Sequence, residues 1–416
     1  MEKRRVVVTG YGVVAPIGNN SVDFWQNIKD GVSGIDRITH FDLTDHKALM
    51  AAEVKNFEYP DKRAARALDP TSQYALVAAK EAMEMSGLVP GENIDPYELG
   101  VYGSSGIGGI QTIEDQAYVG ILKSVKRISP HMITMSIPNI VSGNISIELG
   151  ACGSAFGLNS ACATGTHTIG EAFRAIRDGY QTAIVAGSTE ASIVSIPYAG
   201  FESMRALSTV DDREHCCMPF DKNRSGFVMG EGAAFLILEE LEHAEERGAS
   251  IFAEVAGYGS ASDAYHVTMP DPEGKGDIRA MELAIKDAGI DPSAIDYINA
   301  HGTGTIYNDK IETLAIKEVL GKHAYEIPVS STKAMTGHSL GAVGSIEGLI
   351  CVKALEEGFV PATVGLEEPD EGLDLDYVPG KGREMDLEYV MSNSLGFGGH
   401  NAAIIFRKWN GPEVNA

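Results

Sequence analysis

Apolar residues in this chain come in short unbroken blocks, and residues 183–186 and 234–238 are apolar throughout. Such blocks predict strands buried on both faces of a sheet covered by helices. Between the blocks, apolar positions return at helical spacing. Phe24, Trp25 and Ile28 follow a cap at Asn20 or Ser21 and stop at Gly31, while Leu76, Ala79 and Met83 follow Asp69-Pro70 and stop at Gly87. Residues 5–9 and 99–104 read as further strands, the second running into a glycine-rich turn at 105–109. After a charged helix over 239–248 a similar order begins again, with strand 251–257, helix 278–288, strand 297–300 and helix 311–320. The repetition predicts two similar α/β halves, 1–250 and 251–416, stacked across a shared cleft at their strand ends.

The stretch from Asn159 to Thr168 carries a lone cysteine among tiny neighbours. Residues 157–160 read as the end of a strand, and Ile169, Phe173 and Ile176 as one face of a helix stopped by Gly179. Cys162 is therefore expected near a helix N-terminus, where unpaired amides and the helix dipole favour a thiolate. A buried, inert cysteine is the competing reading. The sequence also places His301 after an apolar strand, in Asn299-Ala-His-Gly-Thr-Gly-Thr305, and His338 before a glycine-rich helix. One soft nucleophile and two imidazoles suit acyl transfer through a thioester followed by carbon–carbon bond formation. The sulfur takes the acyl group, and the imidazoles hydrogen-bond a thioester oxygen as an enolate develops.

Composition narrows the alternatives. With 416 residues the chain can bury a large core, and a net charge of -25 argues against nucleic acid and anionic membranes as partners. No apolar run approaches the ~20 residues of a membrane helix. Five cysteines, two of them adjacent at Cys216 and Cys217, do not form a disulfide framework, so a reducing compartment, by default the cytoplasm, is expected. Gly10-Tyr-Gly12-Val-Val-Ala15 fits a loose dinucleotide fingerprint, but Pro16 and Gly18 delay the helix and no acidic residue ends a second strand. His215-Cys216-Cys217 lacks the spacing that lets two sulfurs chelate one ion. Cys351 lies in an apolar helix, and Cys152 has no basic neighbour. No cofactor or metal is predicted.

Ser160-Ala-Cys162, His301-Gly-Thr-Gly-Thr305, Lys333-Ala-Met-Thr-Gly-His338 and Asn393-Ser-Leu-Gly-Phe-Gly-Gly-His-Asn401 together resemble the elongating β-ketoacyl-acyl carrier protein synthases. The resemblance covers essentially the whole chain, including Val8-Thr-Gly-Tyr-Gly, Arg205-Ala-Leu-Ser, the glycine-rich run 219–232 and Asp263-Ala-Tyr-His266. It implies a thiolase-like five-layer αβαβα fold, a homodimer and ping-pong chemistry with acyl carrier protein as partner. Cys162 is then the acylated nucleophile, and His301 and His338 promote malonyl decarboxylation. The amides of Cys162 and Phe397 form the oxyanion hole, and Phe397 gates the acyl pocket. Lys333, Asp309 and Glu347 have supporting roles, with Lys333 and Glu347 paired to offset burial. Lys62, Arg63, Arg66, Lys123, Lys126 and Arg127, with Arg205 near the cleft mouth, offer basic docking patches for the acidic carrier. Ile306-Tyr307 and Leu395 depart from the usual pattern and leave chain length open. A degradative thiolase would need a second cysteine where Ser394 stands, and a non-catalytic chain-length partner would lack Cys162. A polyketide ketosynthase shares all three residues.

Overall fold

The computed structural model describes residues 3–411. Ten strands form the main sheet: β1 Val6–Val14, β2 Leu99–Ser105, β3 Ala155–Phe156, β4 Ala183–Glu190 and β5 Gly232–Glu240, then β6 Ala253–Ser262, β7 Tyr297–Asn299, β8 Val329–Ser330, β9 Tyr389–Gly396 and β10 His400–Lys408. Their order across the sheet is β8-β7-β9-β10-β6-β1-β5-β4-β2-β3. Counted within each set of five, both run third, second, fourth, fifth, first. The senses repeat as well: the fourth strand pairs parallel with the second and antiparallel with the fifth, and the fifth pairs antiparallel with the first. The two first strands, β1 and β6, meet through the pairs Val7 with Glu254 and Val8 with Ala253.

Seven helices of ten or more residues lie among the described residues: α1 Pro70–Ser86, α2 Ile110–Leu122, α3 Ile140–Leu149, α4 Thr164–Arg177, α5 Lys275–Ala288, α6 Ile306–Leu320 and α7 Val343–Glu357. Helices α4 and α7 lie in the middle. Ile169, Phe173 and Ile176 of α4 join Ile346, Leu349 and Ile350 of α7, with Leu236 and Leu238 of β5 and Ile404 and Phe406 of β10, in one core. The alternate side chains, Phe235 and Ile237, point the other way onto Leu76, Ala79 and Met83 of α1. Ala403 and Ile405 likewise face Ala280, Met281 and Ala284 of α5. Successive residues of a strand project to opposite faces, so unbroken apolar runs make two cores from one strand and give the αβαβα layering.

Local signals placed most elements. Asn20 caps the helix Ser21–Lys29 by accepting from Asp23 N, and Asp69 caps α1 by accepting from Thr71 N. Gly87 ends α1 at φ 68°, the left-handed region that suits a residue without Cβ. One expected strand is absent. Residues 157–160 are not part of the sheet, because side chains take over their hydrogen bonding: Ser104 Oγ accepts from Leu158 N at 2.9 Å, and Asn159 Nδ2 donates to Ser105 O. The strand is cut to the two exposed residues of β3.

Candidate active site

The turn that carries Cys162 follows this loop. Ala161–Ala163 forms a 3₁₀ turn that leads directly into α4, and Ala161 is held at φ 51°. A non-glycine residue there is strained by an amount on the order of 1–3 kcal/mol, so the surroundings must impose it. Ser160 O accepts from Ala163 N at 3.1 Å, Thr164 Oγ1 accepts from Ser160 N at 2.9 Å, and Gly396 presses on the turn from outside. A Cβ at Gly396 would sit 2.6 Å from Ser160 O and 3.2 Å from Cys162 N. Only glycine permits that approach.

His301 lies in the loop after β7, and His338 lies between the short helix Lys333–Thr336 and α7. The topology brings both to Cys162. His338 Nε2 is 3.1 Å from Cys162 Sγ, the two imidazole centroids are 5.3 Å apart, and donor atoms of all three residues lie within 4.8 Å of one another. They share a cleft of about 310 Å³ with Thr303, Thr305, Phe397 and Arg205. Ile306, Tyr307 and Leu395, the positions that depart from the motif pattern, line the same cleft.

Lys333 is wholly buried and lies 3.5 Å from His301 Nδ1 and 2.5 Å from Glu347 Oε1. Burial pushes the Glu347 carboxyl up to about 7 against the pull of the ammonium. Burial holds both histidines well below their ordinary range, and Lys333 adds to the effect. Both rings are therefore neutral near pH 7. The thiol departs from expectation. Burial pushes Cys162 up to about 12, although Lys333 and the amides of Phe397 and of Cys162 itself pull the other way. A helix start lowers a thiol pKa only where burial does not outweigh it, and here it does. The same two amides aimed at the sulfur are those named above for an oxyanion hole.

Asp309 lies outside the immediate contacts of the three residues. Its carboxylate accepts from Phe220 N at 2.8 Å and Gly304 N at 3.2 Å, and Arg224 Nε lies 3.6 Å away, so it fixes the loop that carries His301. Glu312 escaped the sequence reading and binds this loop more directly. Its two oxygens accept from His301 N at 2.6 Å and Gly302 N at 2.8 Å. The signal available was its position one helical turn after Asp309, on the same face of α6.

Lys62 and Arg63 precede the turn Ala64–Ala67 and Arg66 lies within it, and Lys126 and Arg127 end the turn Val125–Arg127, with Lys123 just before it. All are exposed, and Lys62 lies 3.5 Å from Glu58. Arg205, also exposed, lines the cleft, whereas the other six do not.

Residues 3–244 match the model of the β-ketoacyl synthase N-terminal domain, and residues 252–367 match that of the C-terminal domain. The chain belongs to the β-ketoacyl synthase family. It is 48% identical over 413 residues to 3-oxoacyl-[acyl-carrier-protein] synthase 2 of Synechocystis sp., covering 98% of this chain and 99% of the relative. The protein of the same name in Staphylococcus aureus is 47% identical over 411 residues, again covering 98% and 99%. Among solved structures, a β-ketoacyl synthase from Burkholderia phymatum superposes with a TM-score of 0.91 at 34% identity, covering 98% of this chain and all (100%) of that one. A type II polyketide ketosynthase, solved with its acyl-carrier protein and bound to the hexaketide, superposes at 0.90 with 34% identity over 98% of this chain and 100% of that one. The fold is thus thiolase-like, as the motifs implied.

Proposed function

We propose that this chain elongates fatty acyl groups by decarboxylative Claisen condensation of malonyl-acyl carrier protein with an acyl chain on Cys162. The observation that carries the reading is the convergence of Cys162, His301 and His338 in one buried cleft of a β-ketoacyl synthase fold. Identity of 48% over the full length with a fatty acid synthase enzyme, against 34% with a polyketide ketosynthase, favours fatty acid elongation.

In the first half-reaction the sulfur attacks the carrier-bound thioester, and its proton leaves through His338 Nε2 to the departing carrier thiol. The amides of Cys162 and Phe397 receive the negative oxygen of the tetrahedral intermediate. In the second, malonyl-carrier protein loses CO2, and its enolate oxygen is held by the imidazoles while the new carbon nucleophile attacks the Cys162 thioester. The cysteine sulfur departs as a thiolate and takes a proton from solvent through His338, and 3-oxoacyl-carrier protein is released.

Neutral histidines suit this division. An ammonium can only donate, so Lys333 beside His301 Nδ1 leaves the His301 proton on Nε2, as a fixed donor to the enolate. His338 Nδ1 has no hydrogen-bond partner among the described residues, which leaves its tautomer free. Its Nε2 can accept from the thiol in one half-reaction and donate to malonyl in the other.

Exposed basic residues favour docking of an acidic carrier despite the net charge, since local potential steers association. A homodimer is supported by the open sheet edge at β3, where Phe156 is exposed, and by the exposed apolar side chains of Ile121, Leu122 and Val125. No helix among the described residues is long and apolar enough to cross a membrane. Five free cysteines favour a reducing compartment, and the reading places the enzyme in the cytoplasm. Incubation with acyl- and malonyl-carrier proteins of graded chain length tests the whole reading: 3-oxoacyl-carrier protein and CO2 should form, with the acyl adduct on Cys162. An adduct on Cys152, Cys216, Cys217 or Cys351 would overturn the assignment.

A further inference from the structure

One half-buried histidine outside the reacting group is tied to the turn that carries Cys162. His167 sits on α4, five residues after Cys162, with Nδ1 2.6 Å from Ser160 Oγ and Nε2 3.0 Å from Ser260 Oγ of β6. Burial, reinforced by His400, lowers it to about 4, while a bond to the backbone of Asn401 works in the opposite sense. The ring is therefore neutral, with a single N–H, and it must accept at its other nitrogen from a hydroxyl. His400, at the start of β10, faces the ring edge-on at 6.5 Å, and Tyr258 of β6 does so at 6.2 Å. His400 and Asn401 directly follow the glycine turn that contains Phe397.

The nucleophile turn needs such a hold. Ala161 keeps a left-handed conformation it does not favour, and Ser160, immediately before it, carries the side chain that reaches His167. Ser160 also accepts from Ala163 N through its carbonyl, so a shift of Ser160 moves the whole turn and with it the Cys162 amide and sulfur. The far side of His167 rests on Ser260 of β6, which pairs with β10, the strand that follows the Phe397 loop. Sulfur position and amide position are thereby referred to one rigid point.

We infer that His167 is a positioning residue for acyl transfer: through Ser160 it holds the strained turn that aims Cys162 and its amide, and through Ser260 it anchors that turn to β6, the strand paired with β10 at the end of the Phe397 loop. The inference rests on Cys162 being the acylated nucleophile. It goes beyond that reading in separating the two half-reactions, because His301 and His338 are held by other elements and do not depend on Ser160.

The test compares Ser160→Ala, His167→Leu, His167→Gln and the double variant Ser160→Ala/His167→Leu, each confirmed folded by its thermal melt. Single-turnover acylation of Cys162 is followed by mass spectrometry, and malonyl decarboxylation is followed in a Cys162→Gln background. Misplacement of a reacting group by about 1 Å costs on the order of 100-fold, so Ser160→Ala and His167→Leu should each slow acylation about 10–100-fold. The double variant should be no slower than the worse single one, since one contact is lost in all three. His167→Gln, whose amide can still accept from Ser160, should recover most of the rate, and decarboxylation should stay within about twofold throughout. Unchanged acylation in Ser160→Ala, multiplying losses in the double variant, or a parallel fall in decarboxylation would overturn the inference. Should His167→Leu not fold, Ser160→Ala and His167→Gln decide the matter alone. A wild-type enzyme that carried no acyl group on Cys162 would instead overturn the functional reading itself.

Discussion

Lys333 Nζ lies 3.5 Å from His301 Nδ1 and 2.5 Å from Glu347 Oε1, so one buried ammonium both orients an imidazole and neutralises a carboxylate. Removing either charge strands the other. Lys333→Ala or Glu347→Ala should each destabilise the fold by about 3–5 kcal/mol, whereas Lys333→Met/Glu347→Leu should recover much of that loss. Chemical denaturation of the three variants measures it. The double variant should remain poor in malonyl decarboxylation despite its stability, because His301 has lost the donor that fixes its tautomer.

The thiol offers a separate check. A cysteine raised to about 12 is almost wholly protonated at pH 7, and its thiolate fraction grows about tenfold per pH unit up to that value. Alkylation of Cys162 by iodoacetamide in the free enzyme should be slow at pH 7 and should rise without a plateau through pH 9. Mass spectrometry must locate the adduct, since Cys152 is exposed and reacts independently. A plateau near pH 6 would restore the low-pKa thiolate expected from the helix start.

That contrast shows what was legible in the sequence. Cys162, His301 and His338 stand in glycine-rich surroundings that marked each as a candidate, and their combination with the family motifs, not spacing alone, singled them out. The sign of the Cys162 shift depends on how completely Leu395, Phe397 and the central helices wall the sulfur from water, which no local pattern records. Glu312 was missed for a related reason. A carboxylate on a helix with apolar and polar neighbours reads as solvent-facing until β7 is seen to deliver the amides of His301 and Gly302 to it. The strand expected at 157–160 failed because Ser104 and Asn159 side chains supplied the bonds a ladder would have made.

Charge reversal should separate docking from chemistry. Lys126→Glu/Arg127→Glu is predicted to raise the apparent KM for carrier-bound substrate and leave small thioester mimics nearly unaffected. Added salt should reproduce the effect in the wild type by screening the patch. Equal losses on both substrate types would assign these residues to the fold or the chemistry, and unchanged kinetics would make them a solvated face.

The two imidazoles should divide the reaction unequally. His301→Ala and His338→Ala each remove one of two convergent donors from the developing enolate, a loss worth about 10²–10³ in malonyl decarboxylation. Acylation should persist in both, because the amides of Cys162 and Phe397 still receive the oxyanion, but it should be slower in His338→Ala, whose Nε2 is the ring nitrogen found 3.1 Å from the sulfur. The pH dependence has a defined sign. Both histidines are lowered, so their neutral forms persist as pH falls past the usual 6.5, and decarboxylation should stay flat from pH 8 to about 6 before declining in acid. Single-turnover acylation and decarboxylation, measured separately on each folded variant across that range, test both statements. Near wild-type decarboxylation in both alanine variants would exclude the two-histidine mechanism, and a decline centred at 6.5 would show that one of the rings is not held neutral by burial.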